Sequence, residues 1–164
     1  MTDSKPTAFT HLDEAQQPRM VDVGNKAVTR RTAQARACVV FPPEVAGALR
    51  EAGHETKKGP VLTIARIAGV MGAKATPQLI PLCHPLALDR CDVEIRMEGD
   101  TAVVLCTVSC EGRTGVEMEA LTGVSVAALA IYDMCKALSH DIVITDVRLL
   151  SKSGGRHDVQ GVPA

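Results

Sequence analysis

The chain has 164 residues and a formal net charge of −1 at pH 7, with 46% hydrophobic and only 2% aromatic residues. This length is typical of one domain with a hydrophobic core. The near-neutral charge argues against generic binding to nucleic acid or to acidic membranes. Phe9, Phe41 and Tyr132 are the aromatic complement, which is too small for a base-stacking platform.

Residues 1–19 are polar and aperiodic, which predicts a mobile N-terminal arm. They contain no apolar stretch of the kind found in a secretory signal. No apolar run of about 18 residues without charge follows, so we expect no membrane span. The expectation is a cytoplasmic protein with a single domain at residues 20–158 and a short tail at residues 159–164.

The six cysteines lie mostly inside apolar segments and form no C-x-x-C pair. The C-x-x-x-C spacing at Cys106 and Cys110 falls in a strand-like run without a matching histidine pair. The pattern supports neither a structural zinc site nor a disulfide framework. Buried free thiols are therefore the expected state.

The pattern of apolar residues predicts an alternation of strands and helices along the chain. The predicted elements are a strand at 33–41, a helix at 42–52, a basic turn at 54–59, a helix at 61–75, a turn or short helix from Thr76, a hairpin of strands at 91–98 and 101–110, a helix at 114–136 and a strand at 142–150. With the extra helix set aside, this is the β-α-β-β-α-β order of ferredoxin-like folds. We expect an α+β domain with an antiparallel sheet and helices packed on one face.

Two prolines, Pro81 and Pro85, fix the backbone on either side of Cys83 and His84. A rigid support suits a polar side chain at a functional site, where a histidine transfers protons near neutral pH or donates to a phosphate. The alternative is a turn with a half-buried histidine. A Cys83–His84 nucleophilic pair is disfavoured, because sequence neighbours rarely point at each other.

Two turns combine lysine with glycine, at residues 57–59 (KKG) and 152–156 (KSGGR). Glycines let backbone N–H groups approach anionic oxygens, and lysine adds a mobile positive charge. Two such turns in one small domain predict a ligand with a polyphosphate group. Each turn alone is equally consistent with solvated surface, and neither has the spacing of a Walker A loop.

The longest predicted helix, at residues 114–136, is apolar over most of its surface yet carries two glutamates, an aspartate and a lysine. Charges on a helix of this type are costly unless they are paired or used. At about 100° per residue, five polar residues share one arc of the helix: Glu119, Thr122, Ser125, Asp133 and Lys136. The helix therefore keeps a polar stripe on an element that otherwise belongs in a core.

Glu119 and Asp133 are 14 residues apart, which is roughly 21 Å along an unbroken helix. One small ligand cannot contact both in one chain, so either the ligand is long or two such helices run antiparallel across a twofold axis. Two plainer alternatives stay open. Asp133 and Lys136 form an ordinary i,i+3 pair, or Glu117 closes a capping box with Thr114.

Several of these segments together resemble a known family, the cyclic pyranopterin monophosphate synthases, also called the molybdenum cofactor biosynthesis protein C family. The matching motifs are LCHPL at 82–86, TGVEMEALTGVSVAALAIYDMCKA at 114–137, KSGG at 152–155, MVDV at 20–23, KKG at 57–59 and IARIAG at 64–69. The resemblance covers about Met20 to Arg156, and its long-helix motif is highly specific. Departures are small: Arg113 stands where lysine is also usual, and Gly123 stands where alanine is common.

The resemblance implies a lyase that converts (8S)-3′,8-cyclo-7,8-dihydroguanosine 5′-triphosphate to cyclic pyranopterin monophosphate and releases pyrophosphate, which makes residues 20–158 a catalytic domain. It also implies dimers that assemble into a homohexamer, with the site at the dimer interface. It implies no resident cofactor and no metal ligands, and the need for Mg²⁺ with the triphosphate stays open. Neither nucleic acid nor a membrane is an expected partner.

The resemblance also implies roles for individual residues. The catalytic positions are Lys58, His84, Asp133 and Lys136. The substrate-binding positions are Leu82, Cys83, His84, Glu117, Met118, Glu119 and Lys152. Such a reaction needs cations for the triphosphate, together with an acid and a base. The alternative is a non-catalytic nucleotide-binding module, which would keep the basic turns but would not need Glu119 and Asp133 on a buried helix.

Overall fold

The computed structural model describes residues 17–161, so most of the predicted arm at residues 1–19 lies outside the described residues. The elements, in chain order, are β1 (Thr29–Val40), α1 (Pro43–Glu51), β2 (Glu55–Thr56), β3 (Gly59–Pro60), α2 (Val61–Lys74), α3 (Thr76–Leu79), β4 (Arg90–Glu98), β5 (Thr101–Gly112), α4 (Glu117–Cys135), β6 (Val143–Ser153) and β7 (Val159–Gln160).

Five strands form one antiparallel sheet in the order β4-β5-β1-β6-β7, and β2 with β3 forms a separate two-stranded hairpin. The four long strands occur in the chain as β1, β4, β5 and β6, with helices between β1 and β4 and between β5 and β6. The α+β class and the antiparallel ferredoxin-like sheet predicted from the sequence are confirmed.

Helices cover one face of the sheet, and alternating buried side chains in the two central strands identify that face. The β1 side chains Ala33, Ala35, Ala37 and Val39 are fully buried, and they pair across to Ala102, Val104, Cys106 and Val108 of β5, which are fully buried as well. Helices α2 and α4 pack over this face. Because the β1 side chains there are mostly alanine, α4 lies close to the strand backbone.

Close contact between α2 and α4 depends on two glycines of α2. A Cβ at Gly72 would lie 2.6 Å from the Cβ of Val126, and one at Gly69 would lie 3.0 Å from the carbonyl oxygen of Gly123. No side chain fits at these distances without displacing its neighbour. Both glycines are therefore required for this close packing of α2 on α4.

The structure differs from the predicted elements at three short segments. β1 begins at Thr29 rather than at residue 33. The basic turn contains the two-residue strands β2 and β3. β6 continues to Ser153, and after a bend at Gly154, whose φ is +85°, β7 pairs with it through Lys152 and Val159. The first part of the predicted tail therefore belongs to the sheet edge.

By length and composition alone, α4 would also pass as a membrane span. In the fold it is the central helix, and 56% of its apolar window is buried against the rest of the protein. Most of its apolar side chains pack into the core of this domain.

Candidate functional site

The first cluster of site residues lies at the C-terminal end of α4. Lys136 donates to Asp133 Oδ1 at 2.8 Å, and Lys58 donates to Asp133 Oδ2 at 2.7 Å and to its backbone oxygen at 2.9 Å. Lys58 reaches this position because it occupies the turn between β2 and β3. The ordinary i,i+3 pair of Asp133 with Lys136, one of the alternatives considered from the sequence, is present, and Lys58 from a distant turn joins it.

Two cations on one carboxylate alter the acidity of this cluster. Hydrogen bonds from Lys136 and then from Lys58 lower the pKa of Asp133 to about 2, and the Asp133 carboxylate raises the pKa of Lys136. All three side chains remain about half exposed. The cluster is therefore an accessible, fully ionised group with a net positive charge near neutral pH, which suits an anionic ligand.

The second cluster surrounds a cavity of about 590 Å³ near the N-terminal end of α4. The predicted binding residues that line it are Leu82, Cys83, His84, Glu117, Met118 and Glu119. Lys152, from the end of β6, reaches the same region and donates to Glu117 Oε1 at 2.8 Å. The structure thus brings together every substrate-binding residue predicted from the sequence.

Glu119 is the buried carboxyl of this cavity, with only 3% of its surface exposed. Burial and the neighbouring charge of Glu117 raise its pKa, against a smaller opposing effect of a backbone hydrogen bond. Burial, and then the charges of Glu119 and Glu117, also raise the pKa of the Cys83 thiol. A carboxyl with a raised pKa is suited to proton transfer near neutral pH, whereas Cys83 is held as a neutral thiol.

Glu117 does not cap the helix. The N-cap of α4 is Val116, no side chain caps the first turn, and the Glu117 carboxylate is taken by Lys152. The capping box with Thr114, which the sequence left open, is therefore not formed.

Beside this cavity lies a second one, of about 340 Å³, with a strongly basic lining. The predicted basic turn at 152–156 supplies Lys152 and Arg156 to its lining, but sequence reasoning missed the cations Lys26, Arg31 and Arg113. Arg31 was detectable, since it alternates in phase with the buried alanines of β1. It is 9% exposed, and its Nε donates to the Gly112 carbonyl at 3.2 Å.

The predicted catalytic residues are not brought together within one chain. Lys58, Asp133 and Lys136 lie at one end of α4, while His84 lies at the other end with Glu117 and Glu119. α4 is unbroken between Glu117 and Cys135, so the separation of roughly 21 Å expected for a straight helix holds. Within residues 17–161, no group of three or more His, Cys, Asp or Glu side chains is arranged to hold a metal ion.

Comparison with known proteins identifies the family. The model of the MoaC family matches residues 20–155. A protein named cyclic pyranopterin monophosphate synthase from Xanthomonas oryzae pv. oryzae is 53% identical over 157 residues, covering 95% of each chain. A protein of the same name from Rhodospirillum rubrum is 52% identical over 161 residues, covering 95% of this chain and 96% of that one.

A third relative is a larger protein. Molybdenum cofactor biosynthesis protein 1 of Drosophila melanogaster is 54% identical over 154 residues, which are 93% of this chain and 27% of the fly protein. The family match spans nearly all of the described fold and includes both residue clusters and most of the lining of the basic cavity. The chain belongs to the MoaC family.

Proposed function

We propose that the protein is a cyclic pyranopterin monophosphate synthase of molybdenum cofactor biosynthesis. It converts (8S)-3′,8-cyclo-7,8-dihydroguanosine 5′-triphosphate to cyclic pyranopterin monophosphate and releases pyrophosphate, which makes it a phosphorus–oxygen lyase. The observation that carries the proposal is a basic cavity beside a buried carboxyl, Glu119, on the helix that also carries Asp133 of the Lys58–Asp133–Lys136 cluster.

The charges of the site fit the demands of this substrate. A triphosphate needs several cations both when bound and when pyrophosphate leaves, and the basic cavity supplies Arg31, Arg113 and Lys152. Closure of the cyclic phosphate requires a hydroxyl of the substrate to attack the α-phosphate and lose its proton. Glu119 and His84 line the adjoining cavity as acceptors.

We further propose that the working site is shared between two subunits. The two clusters are too far apart along α4 to act on one small reacting centre, whereas an antiparallel pair of α4 helices places Glu119 of one subunit near Asp133 of the other. The outer surface of α2 and α4 supports such a pairing, since Ile67, Met71 and Leu129 are 57%, 64% and 58% exposed. These dimers assemble into a homohexamer in the cytoplasm.

The decisive experiment supplies the cyclised GTP intermediate to the purified protein and measures pyrophosphate and cyclic pyranopterin monophosphate together. We expect both products in equal amounts, and neither from GTP itself. Binding of the intermediate without release of pyrophosphate would instead favour the non-catalytic nucleotide-binding module. The same assay with added EDTA tests whether Mg²⁺ with the triphosphate is needed.

A further inference from the structure

A short segment before β1, which we call the strap (residues 20–24), lies against the cavity that contains His84. Val21 and Val23 of the strap are half-buried and line this cavity. The strap is shaped by its own hydrogen bonds: Gly24 N–H donates to Asp22 Oδ1 at 2.8 Å, and Lys26 N–H donates to the Val23 carbonyl at 3.0 Å. The turn closed by Asp22 directly follows the Val21 carbonyl in the chain.

The strap makes one direct polar contact with the predicted catalytic histidine. His84 Nε2 lies 2.8 Å from the Val21 carbonyl oxygen. A carbonyl oxygen only accepts hydrogen bonds, so Nε2 must carry the hydrogen. Within residues 17–161, the other ring nitrogen, Nδ1, has no hydrogen-bond partner. In a neutral imidazole with Nε2 protonated, Nδ1 is the acceptor.

We infer that the Val21 carbonyl holds His84 as the Nε2–H tautomer, so that Nδ1 accepts a proton or a hydrogen bond from the substrate, and that Asp22 is a positioning residue for this arrangement. Of the two roles that the sequence left to His84, donation to a phosphate through Nε2 is then excluded. In this arrangement His84 meets the substrate through Nδ1 as a proton acceptor, while the lysines and arginines of the basic cavity supply positive charge for the phosphates. The inference depends on the proposed function only for the identity of the substrate.

The tautomer is measured directly on the full chain labelled with ¹⁵N-histidine, by long-range ¹H–¹⁵N correlation at a pH where His84 is neutral. The chain has 5 histidines, and the His84→Gln variant identifies the resonances that belong to His84. We expect a pyrrole-type Nε2 and a pyridine-type Nδ1. The reverse pattern would overturn the inference. This measurement needs no substrate, so it can succeed even if no pyrophosphate is released and the proposed function fails.

The role of Asp22 is tested by Asp22→Ala and Asp22→Asn. The alanine variant loses the Oδ1 acceptor of the strap turn, so its His84 resonances should shift toward a tautomer mixture. Its kcat for pyrophosphate release should fall roughly two- to tenfold, the net effect of one typical hydrogen bond, with a smaller change in KM. The asparagine variant keeps Oδ1 and should recover the Nε2–H pattern together with most of kcat.

Ser139→Ala provides the matched control. Ser139 Oγ accepts from Asp141 N–H at 3.0 Å, so this variant loses a bond with the same two-residue spacing in a turn away from the strap. It should leave both His84 nitrogen resonances in place. Unaltered His84 resonances in Asp22→Ala, or a shifted tautomer with unchanged kcat, would overturn the positioning role of Asp22.

Discussion

Asp133 and Glu119 are two carboxyl groups on one helix whose surroundings push their pKa values in opposite directions. Lys136 and Lys58 hold the pKa of Asp133 down at about 2, while burial and Glu117 raise the pKa of Glu119. Such a divergence separates a permanently charged group from one that exchanges protons. We therefore assign electrostatic and orienting work to Asp133, and proton transfer to Glu119 together with His84.

For Asp133→Asn we expect loss of turnover with the fold intact. Asparagine keeps the size of the side chain and a carbonyl acceptor but loses the charge that holds Lys58 and Lys136. Pyrophosphate release should fall about 10²-fold or more, and the melting temperature should change little, because the pair is exposed. Steady-state pyrophosphate release and thermal melting of the same sample measure both effects.

Asp100→Asn is the control for this substitution. Asp100 forms an exposed ion pair with Arg50, at 3.5 Å, outside both site clusters. It should retain wild-type turnover. Equal rates for the Asp133 and Asp100 variants would reduce the Lys58–Asp133–Lys136 cluster to an ordinary surface ion pair.

Glu119→Gln should change how stability depends on pH. Because the folded pKa of Glu119 is raised above its unfolded value of about 4.3, its contribution to stability is fully present below the unfolded pKa. That contribution is lost as pH rises through the folded pKa. Glutamine does not titrate, so the variant should gain melting temperature relative to the wild type between pH 4 and pH 8.

Thermal melts of both proteins across this range test the prediction. Glu94→Gln is the control, since Glu94 is exposed on β4 and the change removes the same formal charge without affecting a buried group. A constant difference in melting temperature between wild type and Glu119→Gln at all pH values would show that titration of Glu119 does not contribute to the pH dependence of stability.

At the scale of elements, α4 is packed so closely on the sheet that one methyl group decides the fit. A Cβ at Gly123 would lie 2.6 Å from the Sγ of Cys106 on β5. The absence of a side chain at Gly123 leaves room for the Cys106 side chain beneath it. The glycine and the cysteine form one packing unit across the helix–sheet interface.

Gly123→Ala should therefore lower the free energy of unfolding by about 1–3 kcal/mol through overpacking, although alanine is the better helix former. Combining it with Cys106→Ala should recover part of this loss, with a coupling of about 0.5–3 kcal/mol. Urea unfolding of the wild type, both single variants and the double variant gives the coupling directly.

Gly47→Ala in α1 is the control for helix propensity. No atom lies within 4 Å of a Cβ placed at Gly47, so that variant should be more stable by about 0.5–1 kcal/mol. Additive effects at residues 106 and 123 would contradict the proposed packing unit.

The elements that could be predicted from the sequence are those long enough for their buried residues to form a recognisable pattern along the chain. β1 alternates between buried and less buried side chains over residues 31–37, and α4 is a long apolar helix with few exposed side chains, so alternation and length revealed them. β2, β3 and β7 are two residues long, and such short segments carry no period. Their pairing depends on neighbours that only the folded chain brings near.

The site residues that could be predicted are likewise those that stand out from the pattern of their element. The polar arc of α4 predicted both clusters, because charges stand out on an apolar helix. Arg31 precedes the strand predicted at 33–41, so it was not assigned to that strand, although its phase matches the buried alanines of β1. The contact of Val21 with His84 was not predictable, since a backbone carbonyl has no side-chain signature.

At the scale of the whole molecule, a single described chain holds two residue clusters at opposite ends of an unbroken helix, which are the two half-sites of the proposed shared site. Lys58, Asp133 and Lys136 form one of them, and the cavity with His84 and Glu119 forms the other. An isologous dimer would combine each half with its complement twice, once on each side of the twofold axis. Exposed apolar side chains on α2 and α4 are the surface that such a pairing would cover.

Two inactive variants should therefore restore each other. Asp133→Asn and Glu119→Gln damage different half-sites, so a dimer with one subunit of each has one site with both residues intact and one with both changed. Random mixing makes about half of the dimers mixed, with one good site of two, so co-expression should give about a quarter of wild-type pyrophosphate release.

The control for complementation is co-expression of Asp133→Asn with Lys136→Ala. Both changes lie in the same half-site, so no mixed dimer contains a site free of both, and activity should stay at the level of the single variants. Light scattering on each sample verifies that the oligomer is intact. If the Asp133 and Glu119 variants also failed to complement in an intact oligomer, each chain would have to carry a complete site, and the shared-site proposal would be wrong.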